Sequence, residues 1–213
     1  MEAKKIQLYG SWPYRTLRCI WLARELGIEA DLEIIPHDIL KASKESVEKL
    51  REIHPHGTIP ACVTPEGEHL LDSAAICFYL ADKYDKLQPP PGQRMHYYNW
   101  PIYCVSTLDF ILQPLYYHCS ENPEDKWDKA VIEKHGKRFD DFGKYFTQHF
   151  KERQYVCGDE FTAADCVLGY CVWWSSFIMD GRLTSKYPAL GQYLDRIKER
   201  PAFKETFKFP EEH

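Results

Sequence analysis

The feature that most limits the fold of this chain is a change of pattern at the proline-rich segment 88–92, Gln-Pro-Pro-Pro-Gly. Before this segment, alternating strand-like runs are interleaved with runs of helical periodicity, whereas every run from Met95 onward has helical periodicity. Consecutive prolines form a stiff linker, and a recognition motif for proline-binding proteins is the alternative interpretation of this run. The pattern predicts an α/β domain over residues 1–86 and an all-helical domain over residues 94–213.

The first domain is predicted to have the element order β-α-β-α-β-β-α. Ser11 precedes Pro13, a combination typical of a helix N-terminus, so Ser11 is predicted to cap the first helix and Gly27 to end it. The predicted strands are 5–9, 31–36, 60–64 and 69–72. The predicted helices are 13–26, 43–53 and 73–84.

The second half is predicted to contain helices at 95–118, 123–150, 162–179, 188–200 and 201–207. In the second of these helices, aromatic and apolar residues recur every three or four positions, which predicts a face buried in the core. They are Trp127, Val131, His135, Phe139, Phe142 and Phe146. Thr162 and Asp165 have the spacing of a capping box, so they are expected to begin the third helix.

Composition and charge exclude several classes of protein. The formal net charge is -5 and the basic residues are dispersed, which argues against nucleic acid as a partner. No apolar run approaches the length of a membrane helix, and no apolar block follows Lys5, so a cytoplasmic location is expected. The eight cysteines have neither C-x-x-C spacing nor zinc-ligand spacing. They are predicted to be reduced and buried, with no metal site.

Ser11 lies in the first of three motifs that could carry chemistry, residues 10–15, Gly-Ser-Trp-Pro-Tyr-Arg. A hydroxyl where a strand gives way to a helix lies near oriented N–H groups and the helix dipole, which favour an anion such as a thiolate. A plain helix cap is the alternative interpretation. A hydrolase nucleophile is disfavoured because the pattern is not G-x-S-x-G and no base is nearby.

The other two motifs are residues 54–61, His-Pro-His-Gly-Thr-Ile-Pro-Ala, and the pair Asp72-Ser73. A cis Ile59–Pro60 peptide would leave the backbone groups of Ile59 free to pair with an extended peptide, and a trans edge-strand proline is the alternative. Asp72 suits an ammonium group, and Ser73 at a helix start suits a carboxylate, so together they suit an amino acid. A simple helix cap is again the alternative.

These three motifs in this order, followed by an all-helical half, resemble the cytosolic glutathione transferase superfamily over essentially the whole chain. Residues 10–15 are similar to the Ser-x-Pro-Cys-Arg segment of its serine-type theta and delta classes, with Tyr14 in place of Cys. Residues 54–61 resemble the signature Asn-Pro-x-Gly-x-Val/Ile-Pro-Ala, with His54 in place of Asn and Thr58 in place of Gln or Lys. Residues 161–165, Phe-Thr-Ala-Ala-Asp, match its folding motif. Bacterial classes share these short matches.

The resemblance implies a thioredoxin-like first domain that binds glutathione as co-substrate, without a metal. It implies that Ser11 donates its hydroxyl to the glutathione sulfur, that Ile59, ahead of Pro60, pairs with the cysteinyl backbone, and that Asp72 and Ser73 hold the γ-glutamyl end. Thr58 and Pro60 are also expected to bind glutathione. Four residues are candidates for the glycyl carboxylate: His37, Lys41, Lys44 and His56. A homodimer is implied by the resemblance alone.

A pocket for small hydrophobic electrophiles is expected between the two domains. Core packing is the alternative interpretation for each of its aromatic residues. They are Trp12, Tyr14, Tyr103, Phe110, Tyr117 and Trp173.

The expected activity is conjugation of glutathione to electrophiles, a detoxification reaction. Two alternatives remain: a glutathione-dependent disulfide reductase or peroxidase, which the lack of cysteine at positions 11 and 14 disfavours, and a non-catalytic binding module of the same fold. Lowering a thiol pKa from about 8.5 by about two units needs about 2.7 kcal/mol of interaction with the thiolate. One hydroxyl hydrogen bond to an anion contributes about 1.5 to 3 kcal/mol, so Ser11 beside a helix start would suffice.

Overall fold

The computed structural model describes residues 4–38, 41–120 and 122–208, which divide into two compact units. One unit contains the residues up to Leu87 and the segment that starts at Pro201, and the other runs from Gln88 to Arg200. In the first unit the predicted order of strands and helices is confirmed. Its elements are β1 (Ile6–Tyr9), α1 (Thr16–Leu26), β2 (Leu32–Ile35), α2 (Lys44–Ile53), β3 (Ala61–Val63), β4 (His69–Leu71) and α3 (Ser73–Lys83).

The four strands of the first unit form one mixed sheet in the order β2-β1-β3-β4. β1 is parallel to β2, and β3 is antiparallel to both of its neighbours. Tyr9 is opposite Ile35 on β2 and Ala61 on β3, and Ala61 is opposite Leu71 on β4. The last residues of β1, β2 and β4 and the first residue of β3 therefore lie at the same end of the sheet, as in a thioredoxin-like domain.

Helix α1 packs one apolar side against α3. Leu17, Trp21 and Leu26 are buried, whereas Ile20 on the same helix is partly exposed. Gly27 ends the helix with φ +72, a left-handed conformation, and its N–H donates to main-chain carbonyls of the last turn. The predicted start at Pro13 is wrong, because the helix begins at Thr16.

The second unit is helical, as predicted, and its elements are α4 (Met95–Tyr103), α5 (Asp109–Cys119), α6 (Lys129–His149), α7 (Ala163–Ser175), α8 (Arg182–Ser185) and α9 (Pro188–Lys198). A π-helical segment, Cys104–Leu108, joins α4 to α5, where the sequence predicts one uninterrupted helix. Short 3₁₀ helices occur at Glu29–Asp31, Glu124–Lys126 and Ile178–Gly181. The short helix α8 is also absent from the sequence-based prediction.

The predicted core face of α6 is confirmed only for its second half. Phe139, Phe142 and Phe146 are buried, whereas Val131 and His135 are partly exposed. Trp127 precedes the helix, and the guanidinium of Arg182 lies 4.7 Å from its ring centroid.

The last described helix, α10 (Pro201–Thr206), packs on α1 within the first unit. The rings of Phe203 and Phe207 lie 5.0 and 5.6 Å from the ring of Trp21. The sequence-based division assigns residues 201–213 to the helical domain. The packing of α10 assigns it to the first unit instead, because Phe203 on this helix and Phe207 just after it are buried against α1.

All eight cysteines are free, and seven are buried, as predicted; Cys157 is partly exposed. None of the described helices is long and apolar enough to cross a membrane. Within residues 4–38, 41–120 and 122–208, no three His, Cys, Asp or Glu side chains are grouped so that they could hold a metal ion.

Candidate functional site

The sheet register brings the three candidate motifs to the same end of the sheet. Ser11 lies two residues beyond β1, Ile59 two residues before β3, and Asp72 directly after β4. His37 lies two residues beyond β2, so all four strands contribute. Across the sheet the order is His37, Ser11, Ile59, Asp72. Because neighbouring strands are about 4.8 Å apart, the row spans about 14 Å.

Ser11 does not cap α1, and the prediction that it does is wrong. It lies in a turn in which its carbonyl accepts from the N–H of Tyr14 at 3.2 Å, and the residue before α1 is Arg15. The Trp12–Pro13 peptide, which is cis, is inside this turn. The hydroxyl of Ser11 donates to the carbonyl of His37 at 3.1 Å. Because the effect of a helix dipole fades within the first turn, an anion at Ser11 would be stabilised mainly by the hydroxyl.

Gly10 holds the loop of Ser11 against the end of β2 and close to the start of α1. Its N–H donates to the carbonyl of Ile35 at 3.1 Å, and its carbonyl accepts from the N–H of His37 at 3.4 Å. Its φ is +151, and a Cβ at this position would lie 2.0 Å from Oγ1 of Thr16. Only glycine fits here, so the close approach of α1 to this loop depends on it.

The loop before β3 presents the backbone of Ile59. The Ile59–Pro60 peptide is cis, the first of the two interpretations of this motif. In the described part of the chain, Ile59 makes no backbone–backbone hydrogen bond, so its N–H and carbonyl can pair with an extended peptide. His54, which stands where the resembled signature has Asn, is buried, and its Nδ1 accepts from the N–H of His56 at 3.1 Å. Oγ1 of Thr58 lies 3.0 Å from its Nε2, so the imidazole orders this loop.

The start of α3 combines an unengaged carboxylate with free helix N–H groups. Asp72 precedes the helix with φ +66, a conformation rare for residues other than glycine, and its exposed carboxylate does not cap the helix. The first N–H groups of a helix have no intrahelical partner. Ser73, the first residue of α3, is buried. The arrangement suits an ammonium group at Asp72 and a carboxylate at Ser73.

Arg18 is a residue of this region that the sequence analysis missed. It lies on α1, is 0% exposed, and its Nη1 donates to Oγ of Ser73 at 3.0 Å. The next residue, Cys19, has its Sγ 3.8 Å from the carbonyl of Ser73. The available signal was a basic residue between Leu17 and Cys19 on the apolar side of α1.

The candidates for the glycyl carboxylate differ in burial. His37 is buried; its Nδ1 lies 3.1 Å from Oγ of Ser46 on α2, and its Nε2 has no hydrogen-bond partner among the described residues. Lys41, Lys44 and His56 are exposed. His37 is therefore the candidate with a buried polar atom that a ligand could satisfy.

The aromatic residues predicted for the electrophile pocket lie in both units. In the first unit, Trp12 and Tyr14 are in the loop of Ser11 and partly exposed, and the hydroxyl of Tyr14 donates to Asp38 at 3.4 Å. In the second unit, Phe110 and Tyr117 lie seven residues apart on α5, hence on one face. They are 63% and 51% exposed.

Tyr103 and Trp173 have different surroundings in the second unit. Tyr103 packs on Trp100 and Phe142, and burial raises its pKa to about 12. It also lines an open cavity of 610 Å³ along α4. Trp173 is buried and packs edge-on against Phe177. The role of all six aromatic residues in binding an electrophile stays a prediction.

Comparison with known proteins gives consistent matches. The N-terminal domain profile of glutathione S-transferases matches residues 15–83, and their C-terminal domain profile matches residues 129–196. A glutathione S-transferase of Arabidopsis thaliana is 33% identical over 96 residues, 43% of each chain. Glutathione S-transferase 3 of Zea mays is 29% identical over 167 residues, 75% of this chain and 73% of the relative. A glutathione transferase family member of Pseudomonas fluorescens, solved with two glutathione bound, has a TM-score of 0.83 at 20% identity, covering 99% of this chain and 95% of that one.

Proposed function

Since this chain belongs to the glutathione S-transferase superfamily of enzymes, we propose that it binds glutathione and transfers its thiolate to small apolar electrophiles. The observation that carries the proposal is the row of His37, Ser11, Ile59 and Asp72 at one end of the sheet. Each of the four offers a group that suits a different part of one tripeptide.

In the proposed complex, glutathione lies along this row. Its γ-glutamyl ammonium and carboxylate meet Asp72 and Ser73, its cysteinyl backbone pairs with Ile59, its sulfur meets Ser11, and its glycyl end points toward His37. Three extended residues span about 10 Å, and the γ-linkage lengthens the backbone, so the ligand matches a row of about 14 Å.

Ser11 is the proposed thiolate-stabilising residue, which would make this a serine-type member of the superfamily. Its hydroxyl would turn from the carbonyl of His37, its partner at 3.1 Å, toward the sulfur of glutathione. A hydrogen bond to an anion contributes about 1.5 to 3 kcal/mol, which corresponds to a pKa shift of about one to two units. The bound thiolate then attacks the electrophile, and the protein contributes by positioning and by stabilising the anion.

The cysteines favour transfer over disulfide reduction. A reductase that uses its own thiol needs an accessible thiolate. Cys19, the cysteine nearest to Ser11 in the sequence, is fully buried, and burial raises its pKa well above the ordinary value. Positions 11 and 14, which begin the motif, hold Ser and Tyr. The reacting sulfur is therefore proposed to be that of glutathione.

The experiment that tests the proposal combines capture with paired assays. The protein is expected to bind glutathione-agarose, to conjugate glutathione to a chloronitrobenzene-type electrophile, and to reduce a mixed disulfide poorly. Reduction without conjugation would favour the reductase alternative, and capture without either turnover would favour a binding module. The homodimer that the resemblance implies is tested separately, by measuring the molar mass with light scattering.

A further inference from the structure

A buried hydrogen bond joins α1 to the first residue of α3. Nη1 of Arg18, which is 0% exposed, donates to Oγ of Ser73 at 3.0 Å. Arg18 and Ser73 are 55 residues apart in the sequence, so this contact belongs to the tertiary structure alone. From it we infer that Arg18 is a positioning residue for the γ-glutamyl carboxylate of glutathione, acting through the hydroxyl of Ser73. The inference rests on the proposed function.

The chemistry of the two groups gives the direction of the hydrogen bond. A guanidinium has donors and no acceptor, and a serine hydroxyl has one proton and two lone pairs. Arg18 therefore occupies a lone pair of Ser73 and leaves the hydroxyl proton for another acceptor. A hydroxyl that accepts from a cation is polarised and donates more strongly. A carboxylate at the start of α3 is the acceptor that benefits most.

A second contact holds the main chain of the same residue. Sγ of Cys19 lies 3.8 Å from the carbonyl of Ser73, so α1 contacts both the side chain and the backbone of Ser73. The neighbouring Asp72 leaves its carboxylate unengaged by the helix. Arg18 is thus expected to act on the γ-glutamyl carboxylate, and Asp72 on the ammonium group of the same residue of the ligand.

The test compares two ligands on matched variants. The ligands are glutathione and the derivative in which the γ-glutamyl α-carboxylate is a carboxamide. The variants are Arg18→Met, which removes the donor, and Arg18→Lys, which keeps the charge on a shorter side chain. The control is Arg24→Lys on the same helix, because the guanidinium of Arg24 bonds to Glu29 and Thr206 at 2.9 and 3.1 Å, away from α3.

The wild type and Arg24→Lys are expected to bind glutathione about tenfold more tightly than the amide, which corresponds to about 1.4 kcal/mol. Arg18→Met is expected to bind the two ligands within about twofold of each other, because only its affinity for glutathione falls. The preference of Arg18→Lys for glutathione over the amide is expected to lie between that of the wild type and that of Arg18→Met. In turnover assays, the KM of Arg18→Met for glutathione rises about tenfold while kcat stays within about twofold.

Several outcomes would overturn the inference. An unchanged preference for glutathione in Arg18→Met would exclude an action of Arg18 on the carboxylate. Equal weakening of both ligands would show that Arg18 only maintains the fold. If thermal unfolding shows that Arg18→Met does not fold, the test rests on Arg18→Lys. A preference of Arg18→Lys for glutathione over the amide as large as that of the wild type would then exclude an action of Arg18 on the carboxylate. Failure of the wild type to bind glutathione would instead refute the proposed function.

Discussion

At the scale of single residues, Ser11 is a hydroxyl in a turn, five residues before α1, which starts at Thr16. It is expected to stabilise the thiolate of bound glutathione by one hydrogen bond. In Ser11→Ala, the pKa of bound glutathione is therefore expected to rise by about one to two units. The measurement is the ultraviolet absorbance of the thiolate as a function of pH.

The control for this prediction is Ser11→Thr, which keeps a hydroxyl and is expected to retain most of the thiolate. An unchanged thiolate absorbance and turnover in Ser11→Ala would remove the hydroxyl from the mechanism. The two variants together separate the role of the oxygen from the role of the backbone turn.

Gly10 is expected to be required for the position of the loop that carries Ser11. In Gly10→Ala, the new Cβ would meet Thr16 Oγ1 at 2.0 Å and Cγ2 at 2.7 Å. The loop of Ser11 must then shift, so turnover is expected to fall at least about tenfold and the free energy of unfolding by about 1 to 3 kcal/mol. Steady-state kinetics and urea unfolding measure the two effects. The double variant Gly10→Ala/Thr16→Ala is expected to recover part of the turnover and part of the stability. Wild-type turnover in Gly10→Ala would contradict the prediction.

At the scale of elements, the start of α7 depends on a buried carboxylate. Asp165 is fully buried and accepts hydrogen bonds from the N–H of Val156, from the N–H and hydroxyl of Thr162, and from the hydroxyl of Tyr193. Burial nevertheless raises its pKa to about 6, although the hydrogen bonds favour the charged form. The predicted capping pair of Thr162 and Asp165 is confirmed, together with partners that the sequence did not indicate.

This pKa gives a pH dependence with a definite sign. The folded state holds the Asp165 proton up to about pH 6, and the unfolded state releases it near pH 3.9. The folded chain binds more protons between these values, so this contribution to stability is present at low pH and is lost as pH rises through 6. The stability advantage of the wild type over Asp165→Asn is expected to be about 2 kcal/mol larger at about pH 4.5 than at about pH 7. Urea unfolding of both proteins at the two pH values measures this change. A stability difference between the wild type and Asp165→Asn that does not depend on pH would contradict the prediction.

At the scale of the whole molecule, the chain leaves the first unit at Leu87 and returns to it at Pro201. The rings of Phe203 on α10 and of Phe207 just after it cover Trp21, which is 0% exposed. Phe203→Ala is therefore expected to lower the free energy of unfolding by about 3 to 5 kcal/mol. Met95→Ala, at a side chain that is 73% exposed, is the control and is expected to change it by less than about 0.5 kcal/mol. Equal stability of the two variants would show that α10 is not part of the core.

The order of strands and helices in the first unit and the helical second half were predictable from the sequence, because each depends on the spacing of neighbouring residues. The three candidate motifs were recognised for the same reason, and the roles of their residues stay predictions. The start of α1 was missed because the turn of Ser11 is held by Ile35 and His37, on another strand end. The π-helical segment was missed because one wider turn, Cys104–Leu108, leaves the helical periodicity of the sequence nearly unchanged.

By itself, the sequence determined most of the local elements and which short motifs could bind a ligand, since propensity, capping and periodicity act over a few residues. Only the tertiary structure decided that Ser11, Ile59, Asp72 and His37 share one end of the sheet, because strand order and register join distant segments. It alone also decided that α10 belongs with α1 and that the buried Arg18 bonds to Ser73. Burial and hydrogen bonding between distant residues are properties of the packed chain, and no local pattern encodes them.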